Sequence, residues 1–334
     1  MGSHNRLAII KQWGIRLLVV FALTGTFLTA PGLVLFGQQQ QSAARSTDVY
    51  KSDAVIMVHS DLVLIPVTVT DRSGKTVLGL EKEQFQLFEN AAQQEITHFA
   101  AEDAPISIGI VFDASDSMQP KMAKAREAVN SLLNNANPDD EFFLVRFSSE
   151  ARLMVPMTSH VEDIRNAMGY MRISGTTALL DGVRLAMNEM QQARNTRKAI
   201  VIISDGEDNS SRWTVGELKS AVREKDILIY SIGIDDAPTA YTECRARPHC
   251  GAPLLSEISS ETGGRLFEVN QVKQLPDVAA KIAGWLRTQY VLGYVPTHTE
   301  RDGTYRRVEL KVQRPKGFPK LYVIWRQGYY APKE

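Results

Sequence analysis

The sequence predicts an α/β fold, a doubly wound and mainly parallel sheet flanked at both ends by strand-rich segments. Three observations carry this. Between about residues 104 and 290, short apolar runs alternate with segments of helical periodicity. Two of those runs, residues 106–112 and 199–203, are apolar at nearly every position, as expected of strands covered on both faces. Before and after this region the pattern changes to period-two strands separated by turn signals.

The elements follow in order. Arg6, Lys11 and Arg16 precede an apolar run from residue 17 to 36, and Gln38 to Gln41 open a polar stretch. Positive charge, apolar core and polar flank in that order form an export signal. Residues 1–37 are therefore a cleaved signal peptide or a retained membrane anchor, since the run is close to the roughly 20 residues that span a bilayer. Either way the body lies outside the cytoplasm, in the periplasm, on the cell surface or secreted. Residues 38–50 form a linker.

Residues 51–103 form the N-terminal β segment. Val63, Ile65, Val67 and Val69 share one strand face, with Thr68 and Thr70 on the other. Pro66 cannot donate to a ladder, so this strand is expected at an edge or with a bulge. Asp71-Arg-Ser-Gly74 is a turn, and residues 85–88 and 96–99 are short strands.

Residues 104–290 form the α/β domain. After the strand at 106–112, Met122, Ala125, Val129, Leu132 and Leu133 mark an amphipathic helix. Residues 142–147 are a strand, and Leu180, Val183, Met187 and Met190 line the next helix. Thr214-Val-Gly-Glu217 is a capping box opening a helix after the strand at 199–203. Strands at 227–234 and 266–269 bracket a short helix at 254–261. Leu275, Val278, Ile282 and Leu286 line the last helix. The remaining residues, 291–334, return to strands, with Arg301-Asp-Gly-Thr as a turn. Neither strand segment can bury a core alone, so the two are expected to meet as one small β-sandwich carrying the α/β domain as an insertion.

The chain has 38 basic and 38 acidic residues among 334. Zero net charge argues against nucleic acid as the main partner, because phosphate binding needs a basic surface. The only cysteines, Cys244 and Cys250, stand close together on a Pro-containing stretch and are expected to form a local disulfide.

Chemistry concentrates where the first buried strand ends, at Asp113-Ala-Ser-Asp-Ser117. Asp113, Ser115 and Ser117 alternate, so an extended loop can point all three side chains one way. They sit at the carboxyl end of a strand, where open α/β sheets place ligands. Two more segments end at the same edge: Gly175-Thr176-Thr177 offers a hydroxyl, and Ser204-Asp205-Gly206 a second carboxylate. An all-oxygen set suits a hard cation, Mg²⁺ first and Mn²⁺ or Ca²⁺ as alternatives. The helix expected after Ser117 would aim its positive end at the same place.

Asp113, Ser115, Ser117, Thr176 and Asp205 resemble, in order and strand context, the metal-ion-dependent adhesion site of von Willebrand factor type A (VWA) domains. The resemblance covers roughly residues 104–290 and implies a Rossmann-like doubly wound fold. It implies no enzyme but a module that captures an Asp or Glu carboxylate of a partner protein through the bound cation. Thr177 is an alternative to Thr176. Asp116 stands where many bacterial members have Gly, at a position that is not a ligand. Gly303, the residues 326–330 and the export signal make the whole chain look like the secreted VWA-related proteins of acidobacteria.

The alternative reading is a scaffold or assembly factor of an envelope complex with a structural metal. A phosphatase of the haloacid dehalogenase type would need a second Asp where Ser115 stands. No Gly-x-Ser-x-Gly elbow, His-Glu-x-x-His or glycine-rich phosphate loop occurs.

Overall fold

The computed structural model describes residues 62–101, 103–234 and 250–333. The export segment, the linker and Cys244 lie outside the described residues, and Cys250 is disulfide-bonded. Among the described residues no helix is long and apolar enough to cross a membrane.

Strands β1 (Val63–Thr70), β2 (Phe85–Glu89), β3 (Ala92–Gln94) and β4 (His98–Ala100) come first. The α/β region then runs β5 (Ile106–Asp113), α1 (Met122–Leu133), β6 (Glu141–Phe147), β7 (Ala151–Thr158), α2 (Val161–Tyr170) and α3 (Leu179–Glu189). It continues β8 (Arg197–Ser204), α4 (Val215–Arg223), β9 (Leu228–Ile234), α5 (Ala252–Glu261), β10 (Leu266–Val269) and α6 (Leu275–Arg287). Strands β11 (Tyr290–Tyr294), β12 (Tyr305–Val312), β13 (Tyr322–Trp325) and β14 (Gly328–Tyr330) close the chain.

The central sheet has the order β10-β9-β8-β5-β6-β7, parallel except for β7, which runs antiparallel to β6 at the edge. Every residue of β5 is buried. Ile106, Ile108, Ile110 and Phe112 point to one face, against α1, α2 and α6, and Val111 points to the other, against α3, α4 and α5. Strand β8 divides likewise, Val201 and Ile203 facing one layer and Ile200 and Ile202 the other. Two-sided burial explains the unbroken apolar runs. Each such side chain contributes roughly 1.5–3 kcal/mol when removed from water.

The flanking segments form two antiparallel sheets of mixed origin, β13-β1-β11-β4 and β14-β12-β2-β3. Their shared core holds Ile65, Val67, Leu87, Tyr290, Leu292, Tyr294 and Val308. Buried Glu89 accepts hydrogen bonds from the Tyr294 and Tyr329 hydroxyls at 2.7 and 2.8 Å, tying one sheet to the other. The edge expected for Pro66 is corrected: β1 is an interior strand. It pairs with β11 over residues 63–67, but β13 covers it only from Val67 onward, so Pro66 meets no partner on that side.

Gln289, between α6 and β11, donates to the Thr68 hydroxyl at 3.2 Å, and Arg197 at the start of β8 donates to Gln289 at 3.2 Å. These contacts put the sandwich against the amino ends of the central strands. The carboxyl end of β5 lies seven residue steps away, roughly 23 Å along an extended strand.

Candidate metal centre

Strands β5 and β8 are parallel neighbours, with Phe112 opposite Ile203. The residues that follow therefore emerge side by side. Asp113 is fully buried. Its Oδ1 accepts the Ser115 amide at 2.9 Å and the Ser115 hydroxyl at 2.6 Å, and its Oδ2 accepts the Ser204 hydroxyl at 2.6 Å. Ser115 is buried in extended backbone, and its Oγ lies 3.1 Å from that of exposed Ser117. Asp113, Ser115 and Ser117 thus form one connected set, as their alternation predicts.

The helix expected after Ser117 begins where its apolar pattern does, and a tighter turn precedes it. Residues Asp116–Lys121 form a 3-10 turn containing Pro120, and α1 begins at Met122. Proline disfavours α-helical backbone in the residue before it, which delays the helix. What reaches the site from this segment is a charge. Lys121 Nζ lies 3.1 Å from Asp205 Oδ2, in a pair whose side chains are 10% and 11% exposed. The other Asp205 oxygen, Oδ1, is buried without a hydrogen-bond partner.

Two glycines let the loops close over this point. Gly206, at φ +83°, donates to Ser204 Oγ at 2.9 Å and accepts from the Gly251 amide at 2.8 Å; a Cβ there would lie 2.6 Å from the Gly251 backbone. Gly175, at φ +91°, accepts the Asp116 amide at 3.0 Å. Ser174 donates to the Ala114 carbonyl at 2.9 Å, so the third loop is laced directly onto the first.

That lacing brings Thr176 to the rim. Its side chain is exposed, and its hydroxyl donates to Ser149 Oγ at 3.0 Å and accepts from Ser210 Oγ at 2.6 Å. Thr177 is buried, with its amide on Asn209 Oδ1 at 2.9 Å and its carbonyl accepting the Asn209 and Ser210 amides. Asp208 and Asp181 order the rest of the rim. Asp208 Oδ1 accepts the Leu179 amide and the Ser211 hydroxyl, while Asp181 accepts the Arg212 and Trp213 amides. Half-buried Trp213 packs against the core formed with α3, α4 and α5, and Arg184 lies over its ring at 4.4 Å.

Ser204, Ser149, Ser210 and Lys121 were not singled out from sequence. Ser204 had one usable signal, its place between a buried strand and Asp205.

Burial, and then the Asp205 carboxylate, push Asp113 up to about 7; the Ser115 and Ser204 hydroxyls oppose this. Among the described residues no group of three or more His, Cys, Asp or Glu could hold a metal ion. A cation here would therefore depend on hydroxyls as well as the two carboxylates. The donors fit a hard ion: all are oxygens, the two carboxylates repel each other, and Asp205 Oδ1 lacks a donor that a cation would replace.

Residues 108–207 match the family model of the von Willebrand factor type A domain. Among curated proteins, the chain is 24% identical over 201 residues to an uncharacterized protein of Borreliella burgdorferi, covering 54% of this chain and 58% of that one. It is 27% identical over 223 residues to bovine inter-alpha-trypsin inhibitor heavy chain H4, covering 59% of this chain and 23% of the relative. The chain thus spans a little over half, or much less, of the curated relatives it matches. Among solved structures, a von Willebrand factor type A protein from Catenulispora acidiphila aligns at TM-score 0.47 and 13% identity, over 82% of this chain and 74% of that one. Proximal thread matrix protein 1 of the mussel byssus, solved with zinc in its MIDAS motif, aligns at TM-score 0.45 and 19% identity, over 59% and 49%. With the parallel sheet, its two helical layers and the matched segment in place, the chain carries a von Willebrand factor type A domain.

Proposed function

We propose that Asp113, Ser115, Ser117, Thr176 and Asp205 hold a divalent cation, Mg²⁺ or else Mn²⁺ or Ca²⁺, and that the protein uses it to capture an Asp or Glu carboxylate of a partner protein. The domain doing this spans residues 104–290, held by the sandwich of residues 51–103 and 291–334. The observation that carries the reading is Asp205 Oδ1, buried and unpartnered beside the buried carboxyl of Asp113. Two carboxylates and three hydroxyls leave part of a cation's coordination shell to water, so a bound ion supplies an open position for an incoming anion. The chain's own residues do the rest: the Ser115 and Ser204 hydroxyls orient Asp113, and Ser149 and Ser210 orient Thr176.

The protein acts outside the cytoplasm, delivered by residues 1–37. It binds and does not catalyse. The scaffold reading, in which the metal chiefly stiffens the domain, has less support because backbone hydrogen bonds from Asp116 to Gly175, from Ser174 to Ala114 and from Asn209 and Ser210 to Thr177 already lace the loops. Capture from an envelope extract, with and without chelator, tests the proposal. Wild type should retain a partner only with divalent cation present, and Asp113→Ala should lose the partner even at temperatures well below its own melting point. A variant that keeps the partner and merely melts lower would favour the scaffold.

A further inference from the structure

We infer that Lys121 is a tethered competitor of the divalent cation, an inference that rests on the cation-site reading above. Lys121 closes the 3-10 turn Asp116–Lys121, three residues after Met118, which is fully buried. Its backbone is thereby fixed beside the site. Its ammonium lies 3.1 Å from Asp205 Oδ2, and the side chain is only 10% exposed. A lysine this far from water is rarely found without a facing anion. Asp205 is that anion.

With both ionised, the two carboxylates alone would present a local charge of −2 to an entering ion. With Lys121 in place the three groups sum to −1, and one oxygen of Asp205 is already taken. A divalent cation binding at Asp205 must either repel the ammonium at close range in a poorly solvated site or displace it. Lys121 has a flexible four-carbon stem and a compact charge, so it can leave by rotation without breaking the loop lacing. It thus compensates Asp205 while no ion is bound and lowers the affinity for the ion. Partner capture is then responsive to the surrounding divalent concentration, instead of being locked on by a trapped metal.

Calorimetric titration of Mg²⁺, and separately Mn²⁺, into chelator-stripped protein tests this. Lys121→Met should bind Mg²⁺ at least about tenfold tighter than wild type, because a like charge is removed from the site. In chelator the same variant should melt lower than wild type, with Mg²⁺ closing the difference. Lys121→Gln serves as a second neutral variant should methionine misfold, and Lys121→Arg, which keeps the charge, should stay near wild type. Equal or weaker Mg²⁺ binding by a folded neutral variant would overturn the role of Lys121 and leave the cation site standing. No Mg²⁺ or Mn²⁺ binding by either wild type or the neutral variants would overturn both.

Discussion

The Ser204 hydroxyl donates a 2.6 Å hydrogen bond to Oδ2 of Asp113, joining the ends of two adjacent parallel strands through a buried side-chain pair. Ser204 Oγ also accepts from the Gly206 amide, so one serine fixes both the first carboxylate and the turn that presents the second. Ser204→Ala would leave a buried carboxylate oxygen and an amide without a partner. The expected cost is about 1–3 kcal/mol in denaturant unfolding with chelator present, together with weaker Mg²⁺ binding. Unchanged stability and affinity would mean that Ser204 is incidental.

The two threonines of residues 176–177 separate by environment. Thr176 presents its hydroxyl at the exposed rim on Ser149 and Ser210, while Thr177 is buried with its backbone holding Asn209 and Ser210. Thr176→Val should lower Mg²⁺ affinity with little effect on melting temperature. Thr177→Val should chiefly alter stability. The reverse pattern, read from calorimetry and thermal melts on the same samples, would assign the ligand role to Thr177.

Acid–base behaviour follows from Asp113. Burial and the Asp205 carboxylate push its carboxyl up to about 7 from an ordinary 3.8. The metal-free native state therefore binds this proton more tightly than the unfolded chain does. Its stabilising contribution is full below about pH 4 and is lost as pH rises through about 7. Thermal melts in chelator should fall more steeply between pH 5 and 7.5 for wild type than for Asp113→Asn, which stays uncharged. Parallel slopes would contradict this assignment.

Much of this was legible in the sequence because the signals are local. Continuous burial on both faces writes β5 and β8 as apolar runs, and the capping box Thr214–Glu217 forms as its spacing predicts, with the Glu217 amide donating to Thr214 Oγ1 at 3.3 Å. The alternation Asp113, Ser115, Ser117 likewise sits within five residues. Strand β7 and helix α2 left little trace. Only Val155 is buried in β7, an edge strand, and only Ile164 and Met168 in α2, so neither carries a readable period. Lys121, Ser149, Ser204 and Ser210 act across loops from separate elements, and a linear pattern does not record such pairings. Pro66 misled for a related reason: how far β13 covers β1 is a tertiary fact.

The composite sandwich has a direct consequence. β1, from the N-terminal segment, lies between β11 and β13, both from the far end of the chain. A fragment of residues 51–103 should give a collapsed, poorly dispersed NMR spectrum, whereas residues 104–290 should fold alone. A well-dispersed spectrum from the 51–103 fragment would contradict the shared core.

The central claim is that this sheet edge holds a divalent cation through Asp113 and its neighbours. Titrating Mg²⁺ calorimetrically into chelator-stripped wild type and Asp113→Ala tests it most directly. The account predicts saturable binding at one site per chain in wild type and none in a folded Asp113→Ala. Absence of binding in wild type, or equal binding in both proteins, would contradict it.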